Sequence, residues 1–133
     1  TYLLIQRVEG LTPGLYRFLA LEHALLPIET GEEALEKFFP CFIGPGMIRG
    51  SAVTFLWVAD FRRMTFRYGR HSARFIFLDA GHVCQNLYLA AQTAGIGVCA
   101  VGAFYDDDLN AALHFNGYDD FVVYSATVGK PLR

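Results

Sequence analysis

Apolar and polar residues alternate along the chain in short blocks that predict several strands. Two apolar runs, 3–8 and 15–19, are separated by a turn-rich segment and predict a β-hairpin. Residues 52–59 form a third apolar run, broken only by Thr54. Such a run is typical of a strand buried on both faces and predicts a parallel or mixed sheet. The remaining predicted strands are 97–101 and 121–128.

Apolar residues at spacings of three and four predict helices between these strands. The longest covers residues 73–94, which follow a capping Ser72 and end at Gly95. Small residues on one face of this helix, Gly81 among them, allow another backbone to approach closely and predict a dimer seam. Shorter helices are predicted after Thr30, from Asp60 to Tyr68, and from Asp106 to Leu113. This order of elements predicts an α+β domain built around one buried sheet.

The composition limits the size and the surface of the molecule. A chain of 133 residues fits one domain, because domains typically contain about 100 to 150 residues. Hydrophobic residues make up 53% of the chain and charged residues 18%, against about 25% charged residues in typical soluble domains. Because so little charge is available to cover a monomer, we expect part of the surface to be buried against another chain or a missing segment.

Charge and hydropathy exclude two classes of partner. The formal net charge of −2 excludes the strongly basic surface typical of nucleic-acid binding, so we expect no nucleic-acid partner. Residues 80–105 carry no charged side chain, but their glycines and amides would leave a membrane-spanning helix broken and polar. We therefore expect a buried helix followed by a buried strand in this segment, and no membrane partner.

The cysteine and histidine positions predict no metal site. The cysteines show neither a C-x-x-C pair nor the Cys/His spacing of zinc sites, and we interpret them as reduced, buried thiols of a cytoplasmic protein. His82 lies on an apolar helix and is interpreted as a core residue. The cysteines are Cys41, Cys84 and Cys99.

Residues 95–97, with the sequence Gly-Ile-Gly, match part of a dinucleotide-binding fingerprint. They follow a helix and precede a strand, whereas the fingerprint lies between a strand and the helix after it. We therefore reject this interpretation. The chain also has no nucleophile elbow and no P-loop, so composition and spacing predict only an α+β domain with a hidden surface.

Five motifs occur in a fixed order along the chain. They are Arg67-Tyr68-Gly69, residues 79–91 (DAGHVCQNLYLAA), residues 95–97 (GIG), residues 101–104 (VGAF) followed by the acidic residues 106–108, and residues 128–131 (VGKP). This ordered set resembles the C-terminal half of nitroreductase-like flavoproteins, and among them the SagB-type dehydrogenases. Residues 7–11 and 13–16 resemble the segment that precedes this half in the family. The resemblance thus covers nearly the whole chain.

The resemblance implies a fold, a cofactor and a class of reaction. The fold would be α+β and nitroreductase-like, with a central mixed sheet packed by helices, and it would form a homodimer. FMN would lie at the subunit interface with NAD(P)H or the substrate stacked over the flavin, and the hydride chemistry would belong to the cofactor. The substrate would be a small molecule or a modified peptide that carries a heterocycle.

The resemblance also implies two kinds of contact to the cofactor. The backbone of Gly102 and Ala103 would approach the N5 edge of the flavin, where an N–H group stabilises negative charge on the reduced ring. Gly95 and Gly97 would allow the chain to approach the cofactor closely, although a helix stop and a tight turn explain these two glycines equally well. The implied cofactor-binding residues are Gly95, Gly97, Gly102, Ala103 and, for the phosphate, Lys130 and Arg133.

Arg67 and Tyr68 stand where azoline-oxidising members of the family have a Lys-Tyr pair proposed to transfer protons. Arginine is effectively always protonated, so Arg67 can hold charge or position a substrate but cannot act as a general base. The resemblance therefore leaves Tyr68 as the proton acceptor of the pair. The alternative is that both residues only close and pack the end of a helix.

One motif of the family has no counterpart in this sequence. Members begin with an Arg-rich segment that supplies most of the phosphate grip, and nothing in residues 1–133 matches it in context. We therefore expect a single domain that lacks the N-terminal FMN-phosphate-binding segment. The expected function is FMN-dependent hydride transfer, and the alternative is a non-catalytic dimerisation or docking module derived from the same fold.

Overall fold

The computed structural model describes residues 1–131 and contains six strands and five helices within that range. The strands are β1 (Tyr2–Ile5), β2 (Gly14–Leu19), β3 (Ala24–Thr30), β4 (Val53–Asp60), β5 (Gly97–Val101) and β6 (Asp120–Gly129). The helices are α1 (Glu33–Glu36), α2 (Pro45–Gly50), α3 (Phe61–Tyr68), α4 (Ser72–Ala94) and α5 (Asp106–Ala112). Short 3-10 turns cover Phe39–Cys41 and Gly69–His71.

The six strands form one sheet in the order β3-β2-β1-β4-β6-β5. Each neighbouring pair is antiparallel. The predicted α+β class is confirmed, but the expectation of a mixed sheet is wrong. The apolar run of β4 reflects its central position between helices on both faces, and such burial does not depend on strand direction.

Side chains that alternate along the strands form two cores, one on each face of the sheet. On the first face, Leu4 and Leu56 pack in one cluster with Leu35 of α1, Ile48 of α2 and Leu109 of α5. On the second face, Trp57 of β4 and Ala126 of β6 pack against Cys84 of α4. The sheet is therefore enclosed by short helices on one side and partly covered by the long helix α4 on the other.

Most helix boundaries follow from local signals in the sequence. The Asp60 carboxylate accepts a hydrogen bond from the Arg63 amide at 3.0 Å, which confirms the predicted cap of α3. Gly69 ends α3, and Gly95 ends α4 with a left-handed φ of 66°, both as predicted. Ser72 does not cap α4 as predicted, because it is the first residue of the helix and its buried hydroxyl donates to the Gly69 carbonyl.

The strand β3 and the helix α2 were not predicted from the sequence. The strand β3 shows no alternation between apolar and polar residues, and its Leu26 and Ile28 are exposed. It also contains Pro27, which is tolerated because β3 is an edge strand. The segment of α2 is rich in glycine and proline, a composition that predicts a loop, but Pro45 occupies the first helical position, where proline is favoured.

Helix α4 is much more exposed than its apolar sequence predicts. Its buried residues are Ser72, Ile76, Cys84 and Ala91. The predicted small-residue stripe is divided, because Cys84 and Ala91 pack on the sheet of the same chain while Gly81 is exposed. His82 is also exposed and not a core residue, and its Nδ1 lies 2.7 Å from the Leu78 carbonyl oxygen. No helix within residues 1–131 has the length and the apolar character to cross a membrane.

A substitution at Gly14 tests the packing of β2 against β3. Gly14 has a φ of +155°, and a Cβ atom there would lie 2.3 Å from the Glu29 carbonyl oxygen of β3. We expect Gly14→Ala to lower the free energy of unfolding by about 2 kcal/mol, since backbone atoms on both strands must move. Urea unfolding measures the change. Gly46→Ala in α2 is the control, because no atom lies within 4 Å of its Cβ position, and equal losses in the two variants would contradict this packing.

Candidate functional site

Strand β5 is an edge strand, and one side of its backbone is open. The Cys99 and Val101 carbonyls face β6, where they accept hydrogen bonds from the hydroxyls of Thr127 (3.4 Å) and Ser125 (2.6 Å). In an antiparallel pair the direction of the backbone groups alternates from one residue to the next. Val98, Ala100 and Gly102 therefore direct their N–H and C=O groups to the open edge.

A groove of about 310 Å³ lies at the beginning of this edge. Its walls include Gly97 and Cys99 of β5, Thr127 of β6, and the exposed cation Lys130, which directly follows β6. A Cβ atom at Gly97 would lie 3.3 Å from Cγ of Pro131, so the glycine allows the chain after β6 to pack against β5. The groove thus brings together two of the residues implied to bind the cofactor, Gly97 and Lys130.

Gly102 and Ala103 lie at the opposite end of the edge. At about 3.3 Å per residue, the five steps from Gly97 to Gly102 span about 16 Å. Both residues are exposed, and neither amide N–H has a hydrogen-bond acceptor in residues 1–131. The Ala103 carbonyl accepts a hydrogen bond from the Ile43 amide at 3.0 Å, which fixes the backbone. These two amides are therefore donors without a partner at this end of β5.

Tyr88 of α4 lies at the middle of the edge, a position that the sequence does not predict. The Ala100 amide donates a hydrogen bond to its hydroxyl oxygen at 2.9 Å. The hydroxyl proton of Tyr88 remains free for a further acceptor at the open edge. The only sequence signal was its place in the DAGHVCQNLYLAA motif, since a contact between a helix and a later strand has no local pattern.

The thiols of the chain differ in exposure. Cys99 is exposed in the groove, which corrects the expectation that all three thiols are buried. Cys41 and Cys84 are buried, and this burial raises the pKa of each thiol. Burial, followed by the neighbouring Cys84, also raises the pKa of Tyr124 beneath α4. Cys99 is thus the accessible thiol of the three.

A second, apolar groove of about 430 Å³ lies between α4 and the sheet. Leu3, Phe18 and Phe55 form its floor, and Val83 and Leu87 of α4 form one wall. A neighbouring cavity of about 320 Å³ shares Trp57 and Val83 with it and continues toward α3. The hidden surface expected from the composition corresponds to this region, where α4 leaves part of the sheet uncovered.

The other predicted site residues lie away from the open edge or outside the described range. Arg67 and Tyr68 are exposed at the end of α3, which packs mainly on α4, and the Tyr68 ring stacks on Phe75 with centroids 4.4 Å apart. Gly95 ends α4, and no atom lies within 4 Å of its Cβ position. Arg133, the second implied phosphate ligand, lies outside residues 1–131. The structure therefore assembles Gly97, Gly102, Ala103 and Lys130 along one strand edge.

Comparisons with known proteins agree with this fold. Residues 1–130 match the nitroreductase family. A candidate nitroreductase of Methanocaldococcus jannaschii is 31% identical over 124 residues, which are 88% of this chain and 59% of that protein. A crystal structure of a candidate nitroreductase from Anabaena variabilis is 30% identical with a TM-score of 0.85, over 98% of this chain and 26% of that one. The chain thus spans about three fifths of the curated relative.

Two more distant structures share the fold alone. One is a chain of the Escherichia coli microcin synthetase McbBCD complex with truncated pro-MccB17 bound, at 16% identity and a TM-score of 0.82. The match covers 99% of this chain and 51% of that one. The other is a candidate NAD(P)H:FMN oxidoreductase of Staphylococcus epidermidis, at 14% identity and a TM-score of 0.61. That match covers 77% of this chain and 64% of the other.

Proposed function

The chain belongs to the nitroreductase family, and from this premise we propose that it is the flavin-binding part of an FMN-dependent oxidoreductase. One observation carries the proposal: a single open strand edge has an exposed cation, Lys130, near one end and free amide donors of Gly102 and Ala103 at the other. An elongated ligand with an anionic group at one end and a flat ring with acceptor atoms at the other has matching chemistry. FMN is such a ligand.

Each residue of the edge has a defined part in this proposal. Lys130 holds the phosphate, with Arg133 as a second cation, and Gly97 keeps the chain that carries Lys130 against β5. The Gly102 and Ala103 amides orient the ring and donate hydrogen bonds toward the position where negative charge develops on reduction. Bound FMN would supply the hydride chemistry, and NAD(P)H would be the electron donor, as the name of the Staphylococcus epidermidis relative suggests for that protein.

The Arg67-Tyr68 motif and the fold point to a class of substrate. The Arg67-Tyr68 motif resembles the SagB-type dehydrogenases, and a chain of the microcin synthetase complex shares the fold, so we propose a small or peptide-borne heterocyclic substrate. Tyr68 would accept a proton while Arg67 holds charge beside it. Because α3 packs mainly on α4, Arg67 and Tyr68 lie away from the β5 edge of their own chain. The pair would therefore act at the β5 edge of a second protomer, and we propose a homodimer in the cytoplasm.

A non-catalytic dimerisation or docking module is the second candidate function. It is favoured by large apolar side chains that α4 exposes, among them Phe77 at 63% and Leu89 at 59% of their accessible surface. Such a module would form dimers whose stability does not change with added FMN. A ligand present at about 100 times its Kd would instead stabilise the folded chain by about 2.7 kcal/mol.

Alkylation of the cysteines with iodoacetamide tests the proposed FMN position. Thiolates are the reactive species, so Cys41 and Cys84, with raised pKa values and buried sulfurs, are expected to react slowly at neutral pH. Cys99 is expected to react quickly, and FMN in excess should slow its reaction about tenfold or more by covering the groove. Mass spectrometry of peptides measures all three rates.

Riboflavin is the control ligand for this experiment, because it has the flavin ring but no phosphate for Lys130 to hold. It is expected to protect Cys99 less than FMN does at equal concentration. Equal alkylation of Cys99 with and without FMN would contradict the proposed position of the cofactor.

A further inference from the structure

The segment from residue 62 to residue 74 forms an arginine surface, and the proposed flavin site uses only Arg67 of its cations. It includes most of α3, the turn after it and the first residues of α4. Of the 11 Lys and Arg residues in the chain, five lie here, and the segment contains no Asp or Glu. All five side chains are exposed. They are Arg62, Arg63, Arg67, Arg70 and Arg74.

Most of this positive charge is not compensated within the chain. Arg62 pairs with Asp119 at 2.6 Å, and Arg63 pairs with Asp60 at 3.0 Å. Arg67, Arg70 and Arg74 form no ion pair with any residue of the range 1–131. Guanidinium groups bind carboxylates with two parallel hydrogen bonds, so three unpaired arginines are strong candidates for external carboxylates.

Apolar groups lie between these arginines. None of the eight residues of α3 is buried, and Phe66 exposes 95% of its accessible surface. Phe66 is one helical turn after Arg62, and Arg70 follows it four residues later in the chain. Arginine and aromatic side chains are the types most enriched at protein-protein interfaces. The exposed surface of α3 therefore has the composition of a protein-protein contact.

We propose that the arginine surface docks an acidic segment of another polypeptide in which carboxylates alternate with apolar side chains. The surface measures at most about 20 Å, which matches about six residues of an extended peptide. A continuous polyanion such as a nucleic acid fits less well. Asp60 and Asp119 border one end, Asp79 follows the other, and the whole chain carries a net charge of −2. The docking needs no bound FMN, although the surface borders the proposed catalytic pair Arg67 and Tyr68.

Fluorescence anisotropy with a labelled peptide of four Glu-Glu-Leu repeats tests this proposal on the full chain. We expect saturable binding that weakens as salt is added, because the contact is electrostatic. Arg70→Glu should weaken the binding about tenfold or more, since it removes a charge-assisted contact and adds repulsion. Phe66→Ser should weaken the binding as well. Circular dichroism verifies that each variant is folded.

Arg7→Glu is the matched control, because it changes the net charge equally. Arg7 lies away from the arginine surface and donates to the carbonyls of Arg49 and Gly50. Equal weakening by Arg7→Glu and Arg70→Glu would overturn the proposal, as would the absence of saturable binding up to about 1 mM peptide. Equally tight binding of a Gln-Gln-Leu peptide would also overturn it. Tighter binding of single-stranded DNA that depends on Arg70 would assign the surface to nucleic acid instead.

Discussion

Replacing Gly102 by proline is expected to slow reduction of bound flavin by NAD(P)H about 100- to 1,000-fold while the chain remains folded. Proline removes the outward amide N–H that would donate to the ring where negative charge develops, and loss of one such oriented donor typically costs this factor. The fold should tolerate the change. Proline is found on edge strands where the N–H faces solvent, and Val101 before it is already extended in β5.

Gly102→Ala separates the lost donor from a mere change of side chain. A Cβ atom at Gly102 would lie 3.8 Å from a ring carbon of Tyr124, an ordinary van der Waals contact, so alanine fits and keeps the N–H. Stopped-flow absorbance of the flavin measures the reduction rate of both variants at saturating FMN. If Gly102→Pro and Gly102→Ala reduced flavin at similar rates, the backbone donor would have no part in the reaction.

Reversing the charge at Lys130 is expected to weaken FMN binding about 10- to 100-fold. Lys130 is the described cation of the groove at the beginning of the β5 edge, and Lys130→Glu would replace attraction for the phosphate by repulsion. Charge-assisted hydrogen bonds of this kind typically contribute about 1.5 to 3 kcal/mol. Titration of FMN by its fluorescence gives the Kd, and Lys130→Arg should restore most of the affinity.

Arg17→Glu is the charge-matched control for Lys130→Glu. It changes the net charge of the chain by the same amount, but Arg17 is exposed on β2, and three strands separate β2 from β5 in the sheet. FMN affinity should stay within about twofold of the unaltered protein, because exposed charges farther apart than about 10 Å are largely screened at moderate salt. Equal loss of affinity in both variants would point to the overall charge and not to a contact at Lys130.

Element boundaries that strong local signals mark were predicted correctly from the sequence. Strand β5 matches its predicted limits because Gly95 ends the preceding helix in a left-handed conformation. Helix α5 begins at Asp106, where three acidic residues favour the positive end of a helix. In both cases a few neighbouring residues determine the boundary.

Features that depend on distant residues were not predicted. The direction of β4 depends on its partners β1 and β6, and its own apolar run carries no information about them. Tyr88 reaches the Ala100 amide only because α4 folds back across the edge of the sheet. The exposure of Cys99 likewise follows from the edge position of β5, which the topology sets.

The composition predicts a surface that another chain or segment covers, but not the location of its exposed apolar residues. In the fold, this surface is divided between exposed residues of α4, such as Phe77 and Leu89, and the groove above Leu3 and Phe55. The chain spans only 59% of the Methanocaldococcus jannaschii relative. We propose that a second protomer covers the exposed residues of α4.

The most direct test of the central claim is a titration of the purified chain with FMN, followed by equilibrium dialysis and the visible spectrum of the retained flavin. The account predicts saturable binding that approaches one FMN per chain, and a visible flavin spectrum in the dialysed protein. The absence of retained flavin at FMN concentrations up to about 1 mM would contradict it. The fold would then remain that of the nitroreductase family, but the β5 edge would not be its cofactor site.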